Sequence, residues 1–162
     1  MDTRASYFRF MENVIYELMC VNIMKNKYAS IELWTSILLA VVSSLAVASW
    51  FLVGQLAIVF AAIIALAQVV SIAMPYFDLR KKIERLLVAS LAMQELADEV
   101  EDLWFQVRTA HSDEEINKLL NTLRGRQRKY LAPVQELCRP SEKICDMAEK
   151  RMNEYVKNHF YD

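Results

Sequence analysis

The sequence predicts an all-α membrane protein, and three observations carry that prediction. From Leu33 to Phe77 the chain has 45 consecutive residues without an Asp, Glu, Lys or Arg. Outside that run, apolar residues recur at spacings of three and four, the period of a helix face. No stretch of useful length alternates apolar and polar residues as a half-buried strand would.

Average composition hides the division. Charged residues make up 24% and hydrophobic residues 55% of the 162, and the net charge is −1. All 19 Lys+Arg and 20 Asp+Glu lie in the 117 residues outside the run, where every third residue is charged. One part suits lipid and the other water, which excludes an ordinary soluble domain with a single core. Two Gly and three Pro among abundant apolar side chains exclude disorder. The balanced charge gives no general pull toward nucleic acid, so direct nucleic-acid binding is not expected.

Residues 1–32 predict an N-terminal cytoplasmic amphipathic helix. Phe8, Met11, Ile15 and Leu18 are spaced three or four apart, with Arg9, Glu12, Asn13 and Glu17 between them. Asp2, Glu12 and Glu17 balance Arg4, Arg9 and Lys25, which favours packing on the rest of the protein over lying on lipid. No short apolar core with a small-residue cleavage site precedes Leu33, so no cleaved signal is expected.

Residues 33–77 predict a transmembrane hairpin. A spanning helix takes about 20 apolar residues, and the run divides into 33–54 and 55–77, with Gly54-Gln55 at the turn. Lys25 and Lys27 precede it, Arg80, Lys81, Lys82 and Arg85 follow it, and the turn has no Lys or Arg. Both termini are therefore expected on the cytoplasmic side of the membrane. Tyr28, Trp34 and Tyr76 would mark the inner interface, and Trp50 and Phe51 the outer one.

Small residues recur every four positions, at Ser36, Ala40, Ser44 and Ala48 and again at Ala57, Ala61 and Ala65. Such faces either zip the hairpin or meet another copy. Gln68 and Ser71 share a side of the second span, and Ser43 and Ser44 lie mid-depth in the first. An amide in hydrocarbon needs a partner, so Gln68 either bonds across the hairpin or lines a watery passage. Two helices cannot enclose a passage, so the second role requires a ring of copies. Gln68, Ser71 and Ser44 are the pore-lining candidates.

Residues 78–162 predict a cytoplasmic helical domain. Leu79, Ile83, Leu86, Ser90, Met93, Ala97, Val100, Trp104 and Val107 alternate spacings of four and three. Such a seam fits a coiled-coil-like partner, either another helix of this chain or a neighbouring copy. Leu79, Ile83, Leu86, Met93, Val100, Trp104 and Val107 are the oligomer-seam candidates. The basic start of this helix opposes its dipole and suits phospholipid headgroups instead. Ser112 with Glu115 predicts a capping box, followed by a core face of Ile116, Leu119, Leu120, Leu123, Tyr130 and Leu131. Pro133 and Pro140 punctuate the chain, and Ser141 opens a last helix carrying Ile144, Met147, Ala148, Tyr155 and Phe160.

Nothing in the sequence predicts an enzyme or a cofactor. With two glycines in all, no phosphate-binding glycine loop can form. Cys20, Cys138 and Cys145 include no C-x-x-C pair, which suits reduced, semi-buried thiols, and His111 and His159 lack metal-ligand spacing. Arg124, Arg126, Arg128 and Lys129 form the densest basic run and point to different sides of a helix. They are either a solvated, salt-bridging cluster or the surface that receives a partner or signal molecule.

An amphipathic first helix, a tight two-span hairpin and a helical tail opening with Asp78–Leu86 (DLRKKIERL) give the chain a recognisable layout. It resembles the SLATT-type membrane effectors of bacterial defence, and is similar to the accessory membrane proteins of type VI-B CRISPR loci. The resemblance covers the whole chain. It implies a ring-shaped homo-oligomer (an octamer is one such ring) whose pore disturbs the inner membrane during phage infection. Its partners would be membrane lipids and an RNA-guided nuclease system or a signal molecule. That accessory group is also associated with a degenerate helical-ribonuclease motif, an Arg and a His with four to six residues between them. Here seven residues separate Arg151 from His159, so the spacing does not match. A holin-like lysis protein and a membrane-anchored scaffold without a pore are the alternative readings.

Overall fold

No glycine or proline occurs before Gly54, so nothing in the backbone interrupts a helix that begins near the N-terminus. The computed structural model describes residues 3–48, 55–73, 78–109, 112–136 and 138–160, without the side chains of 45–48, 55–57, 60 and 73. It places Thr3–Ala48 in one helix of 46 residues, α1. The expected amphipathic helix and first span are thus one continuous element. Four more helices follow: α2 (Gln55–Ala73), α3 (Leu79–Thr109), α4 (Asp113–Gln135) and α5 (Glu142–Phe160). No strand occurs among the described residues, and the all-α expectation holds. Gly54, Trp50, Phe51, Pro75, Tyr76 and His111, which carried the expected turns and interfaces, lie outside the described residues.

The helices divide into two compact units, residues 1–26 with 84–162 and residues 27–83. Expected boundaries at 32/33 and 77/78 stand about six residues inside these. In the first unit the start of α1 shares a core with α3, α4 and α5. From α1 come Tyr7, Met11, Val14, Ile15, Leu18, Val21 and Met24, all buried. Ile116, Leu120, Leu123, Leu131 and Val134 form the buried row of α4, and Ile144, Ala148 and Val156 that of α5.

Of the two partners expected for the α3 seam, the structure shows helices of the same chain for four of its residues. Leu86 is 1% exposed, and Met93, Val100 and Val107 are fully covered within this one chain. Side chains without accessible surface have none to offer a neighbouring copy, so these four meet helices of their own chain. Trp104 stacks on Tyr7 with ring centroids 6.1 Å apart and meets Phe8 at 5.2 Å. Leu79 and Ile83, half-buried, belong to the second unit.

Polar bonds fix the register of this core. The Tyr7 hydroxyl donates to the Val100 carbonyl at 3.1 Å, and the Ser90 hydroxyl donates to Asn22 at 2.7 Å. Lys25 Nζ donates to the same Asn22 oxygen at 3.1 Å and to Ser90 at 3.3 Å. Lys25, expected as a flanking positive charge of the hairpin, is therefore engaged within the first unit. Ser112 caps α4 with the full reciprocal box: its Oγ accepts from the Glu115 backbone, and Glu115 accepts from the Ser112 backbone. Pro133 does not end α4, which continues to Gln135. At two residues from the end, a missing donor and a ring clash disturb only the last turn.

Candidate functional site

The second unit has the inverse of a soluble surface. Trp34 is 67% exposed, Ile58 74%, Leu66 67% and Ile72 68%, and Leu33, Ile37, Leu38, Val41, Val59 and Val69 are exposed with them. Only Thr35, Leu39 and Val42 on α1 and Ile64 and Ala67 on α2 are partly covered within the described uncharged part. Ser36, Ala40, Ser44, Ala61 and Ala65 of the small-residue rows are exposed, and the side chains of Ala48 and Ala57 lie outside the described ones. Among the described residues no helix is long and apolar enough to cross a membrane. The uncharged side chains described there, within 33–44 and 58–72, are fewer than the sequence's run of 45.

Charged residues that flank the uncharged run meet. Glu32, its last preceding charge, pairs with Arg80 at 2.9 Å. Glu32, Ser36, Leu39, Ser71, Asp78 and Arg80 line a common cleft of about 440 Å³. Lys81 pairs with Asp78 at 3.3 Å, and Lys82 lies 6.0 Å from the centre of the Tyr28 ring. Arg80, Lys81 and Lys82 at the basic start of α3 thus have partners within the second unit, while the Arg80 and Lys81 side chains stay largely exposed. Asp78 has φ 46, in the left-handed region, which aspartate tolerates better than most residues.

The pore-lining candidates fall apart in this arrangement. Ser71 lines that cleft, while Ser44 turns its hydroxyl onto the Ala40 carbonyl at 2.9 Å, as Ser43 does onto Leu39 at 2.8 Å. Gln68 is exposed and has no hydrogen-bond partner among the described residues.

The basic run of α4 also separates. Arg126 bonds Glu99 of α3 at 2.6 Å, and Lys129 lines an apolar groove with Leu87, Val88, Ala92, Tyr130 and Pro133. Arg124 and Arg128 instead face α1 across a cleft of about 360 Å³, lined also by Ser6, Arg9, Phe10, Asn13 and Gln127. The Arg124 guanidinium lies 5.9 Å from the centre of the Phe10 ring. Gln127, buried, donates to Glu17 at 2.6 Å. Burial raises the Glu17 carboxyl above its ordinary range, against the lowering effect of bonds from Gln127 and Asn13. The sequence reading missed Ser6, Arg9 and Asn13. Their spacing of three and four puts them on one polar stripe, but nothing local says which helix that stripe meets.

Other chemistry-bearing side chains lie elsewhere. The Tyr155 hydroxyl bonds both Glu101 oxygens at 3.0 Å; burial and that carboxylate push the phenol up to about 12. His159 stacks on Tyr155 at 4.1 Å, and Arg151 is exposed. All three cysteines are free. Burial raises the Cys20 thiol above its ordinary range, against the lowering influence of the neighbouring Tyr16 hydroxyl. Among the described residues no group of three or more His, Cys, Asp and Glu could hold a metal ion.

No family model, curated protein or solved structure matches the chain.

Proposed function

We propose that the chain is an oligomeric inner-membrane effector of antiphage, CRISPR-associated defence that forms a pore or otherwise perturbs the membrane. In this reading the 27–83 unit sits in lipid and the helical unit governs it. The observation that carries the reading is the outward-facing apolar surface of α1 and α2 in a segment without charge. Water-soluble monomers rarely expose apolar patches beyond a few hundred Å². Lipid is the solvent that suits such a surface.

Gln68 supports an assembly of copies. Its amide has no partner among the described residues, and an unbonded amide in hydrocarbon costs several kcal/mol (roughly 2–7). In this reading a neighbouring copy or a water-filled passage bonds that amide. Because Leu86, Met93, Val100 and Val107 of the α3 seam are buried inside the chain, copies meet through what remains exposed: the small-residue rows of the hairpin and Leu87, Val88 and Leu91 of α3. The defence context rests on the SLATT-like layout.

The test is dye release from liposomes of phosphatidylethanolamine and phosphatidylglycerol. The full chain should release trapped dye, and Gln68→Leu should reduce release at least fivefold at equal insertion. Inserted wild-type protein that leaves the dye trapped would remove the pore.

A further inference from the structure

We propose that the cleft between α1 and α4 binds a small organic phosphate carrying two or more negative charges, through Arg9, Arg124 and Arg128. The first support is convergence. Ser6, Arg9, Phe10 and Asn13 form one stripe of α1, and Arg124, Gln127 and Arg128 one stripe of α4. Three guanidinium groups from two helices therefore border one space, and no carboxylate lines it.

The second support is that these three guanidinium groups gather around one space without a carboxylate among them, where Arg85, Arg108, Arg139 and Arg151, also outside the ion pairs, stand apart from that cleft. Arg80 and Arg126 each hold a carboxylate, at 2.9 and 2.6 Å. Among the described residues Arg9, Arg124 and Arg128 form no ion pair. Like charges gathered without a counter-ion repel one another, and an anion between them reverses the sign of that interaction. Guanidinium groups present planar forks of donors that match phosphate oxygens two at a time.

Size and shape narrow the ligand. About 360 Å³ lies near the lower end for small-molecule sites, roughly 300–1,000 Å³, which suits a sugar phosphate or a mononucleotide. Phe10 is 6% exposed and covered by Arg124, so it offers no open face for stacking. Selection would be by charge. Glu17 lies behind Gln127 and fixes that amide.

The test titrates the full chain, held in phosphatidylcholine nanodiscs, with inorganic pyrophosphate and with ADP. Saturable binding is expected, at least tenfold weaker in Arg124→Gln and in Arg128→Gln. Arg126→Gln, whose partner is Glu99, should stay within twofold of wild type. Because Arg124 also covers Phe10, helical content is checked by circular dichroism, and Arg9→Gln probes the same cleft from α1. A parallel sample in discs containing phosphatidylglycerol identifies the source. Competition by that lipid, lost in the same variants, assigns the phosphate to a headgroup; binding unchanged by it assigns a soluble ligand. No saturable binding in either disc, or equal weakening by Arg126→Gln, overturns the proposal. The readout needs no leakage, so this site and the pore stand or fall separately.

Discussion

Removing the Tyr7 side chain should loosen the first unit more than any surface change on the same helix. Tyr7 is fully buried 93 residues before its hydrogen-bond acceptor, Val100, and its ring stacks on Trp104. Tyr7→Phe removes one buried hydroxyl bond. The Val100 carbonyl keeps its place inside α3, so the cost is that of one net bond, about 1 kcal/mol. Tyr7→Ala also removes the ring, and large aromatic-to-alanine changes in cores cost roughly 3–5 kcal/mol. For a unit of about 100 residues, 1 kcal/mol moves the melting temperature by about 4–8 °C. The assay is thermal unfolding in mild detergent, followed by Trp104 fluorescence in a Trp34→Phe, Trp50→Phe background. Tyr7→Phe should melt a few degrees lower and Tyr7→Ala far lower still. A Tyr7→Ala protein melting within a degree of its parent would refute the docking of α1 on α3. Burial and Glu99 raise the Tyr7 phenol, so its contribution is complete below pH 10 and is lost as the pH climbs through the raised value.

Ser112→Ala removes half of the capping box and should cost about 1 kcal/mol, read as a lower melting temperature with unchanged helical content. Burial raises the Glu17 and Glu101 carboxyls, so stability should be greatest below the ordinary carboxylate range and fall as pH rises through the raised values. Glu17→Gln keeps an acceptor for Gln127 and should flatten that decline; an unchanged slope in melts from pH 4 to 8 would count against it. Val88→Asp with Leu91→Asp places charge on the exposed face of α3 and should lower the mass of the assembly without unfolding it, measured by light scattering in detergent.

The helices were legible because their causes are local. The Ser112–Glu115 box and the charge-free run each declare themselves within a few residues or a few turns. What the heptad seam could not declare was its partner. Leu86, Met93, Val100 and Val107 have the same spacing whether they meet α1 or a second copy, and only the folded chain assigns them to its own core. The arginine cleft was hidden for a similar reason. Arg124 and Arg128 are neighbours on α4, but Arg9 joins them from more than a hundred residues away. Arg126, between them in sequence, turns to Glu99 because successive helix positions point about 100° apart.

The central claim is that copies of the hairpin surround a passage through lipid. Its most direct measurement is the mass of the full chain purified in mild detergent, together with images of the particles. The account predicts a closed ring of several copies. A monomer or a dimer would contradict it, because the helices of two hairpins cannot enclose an aqueous path.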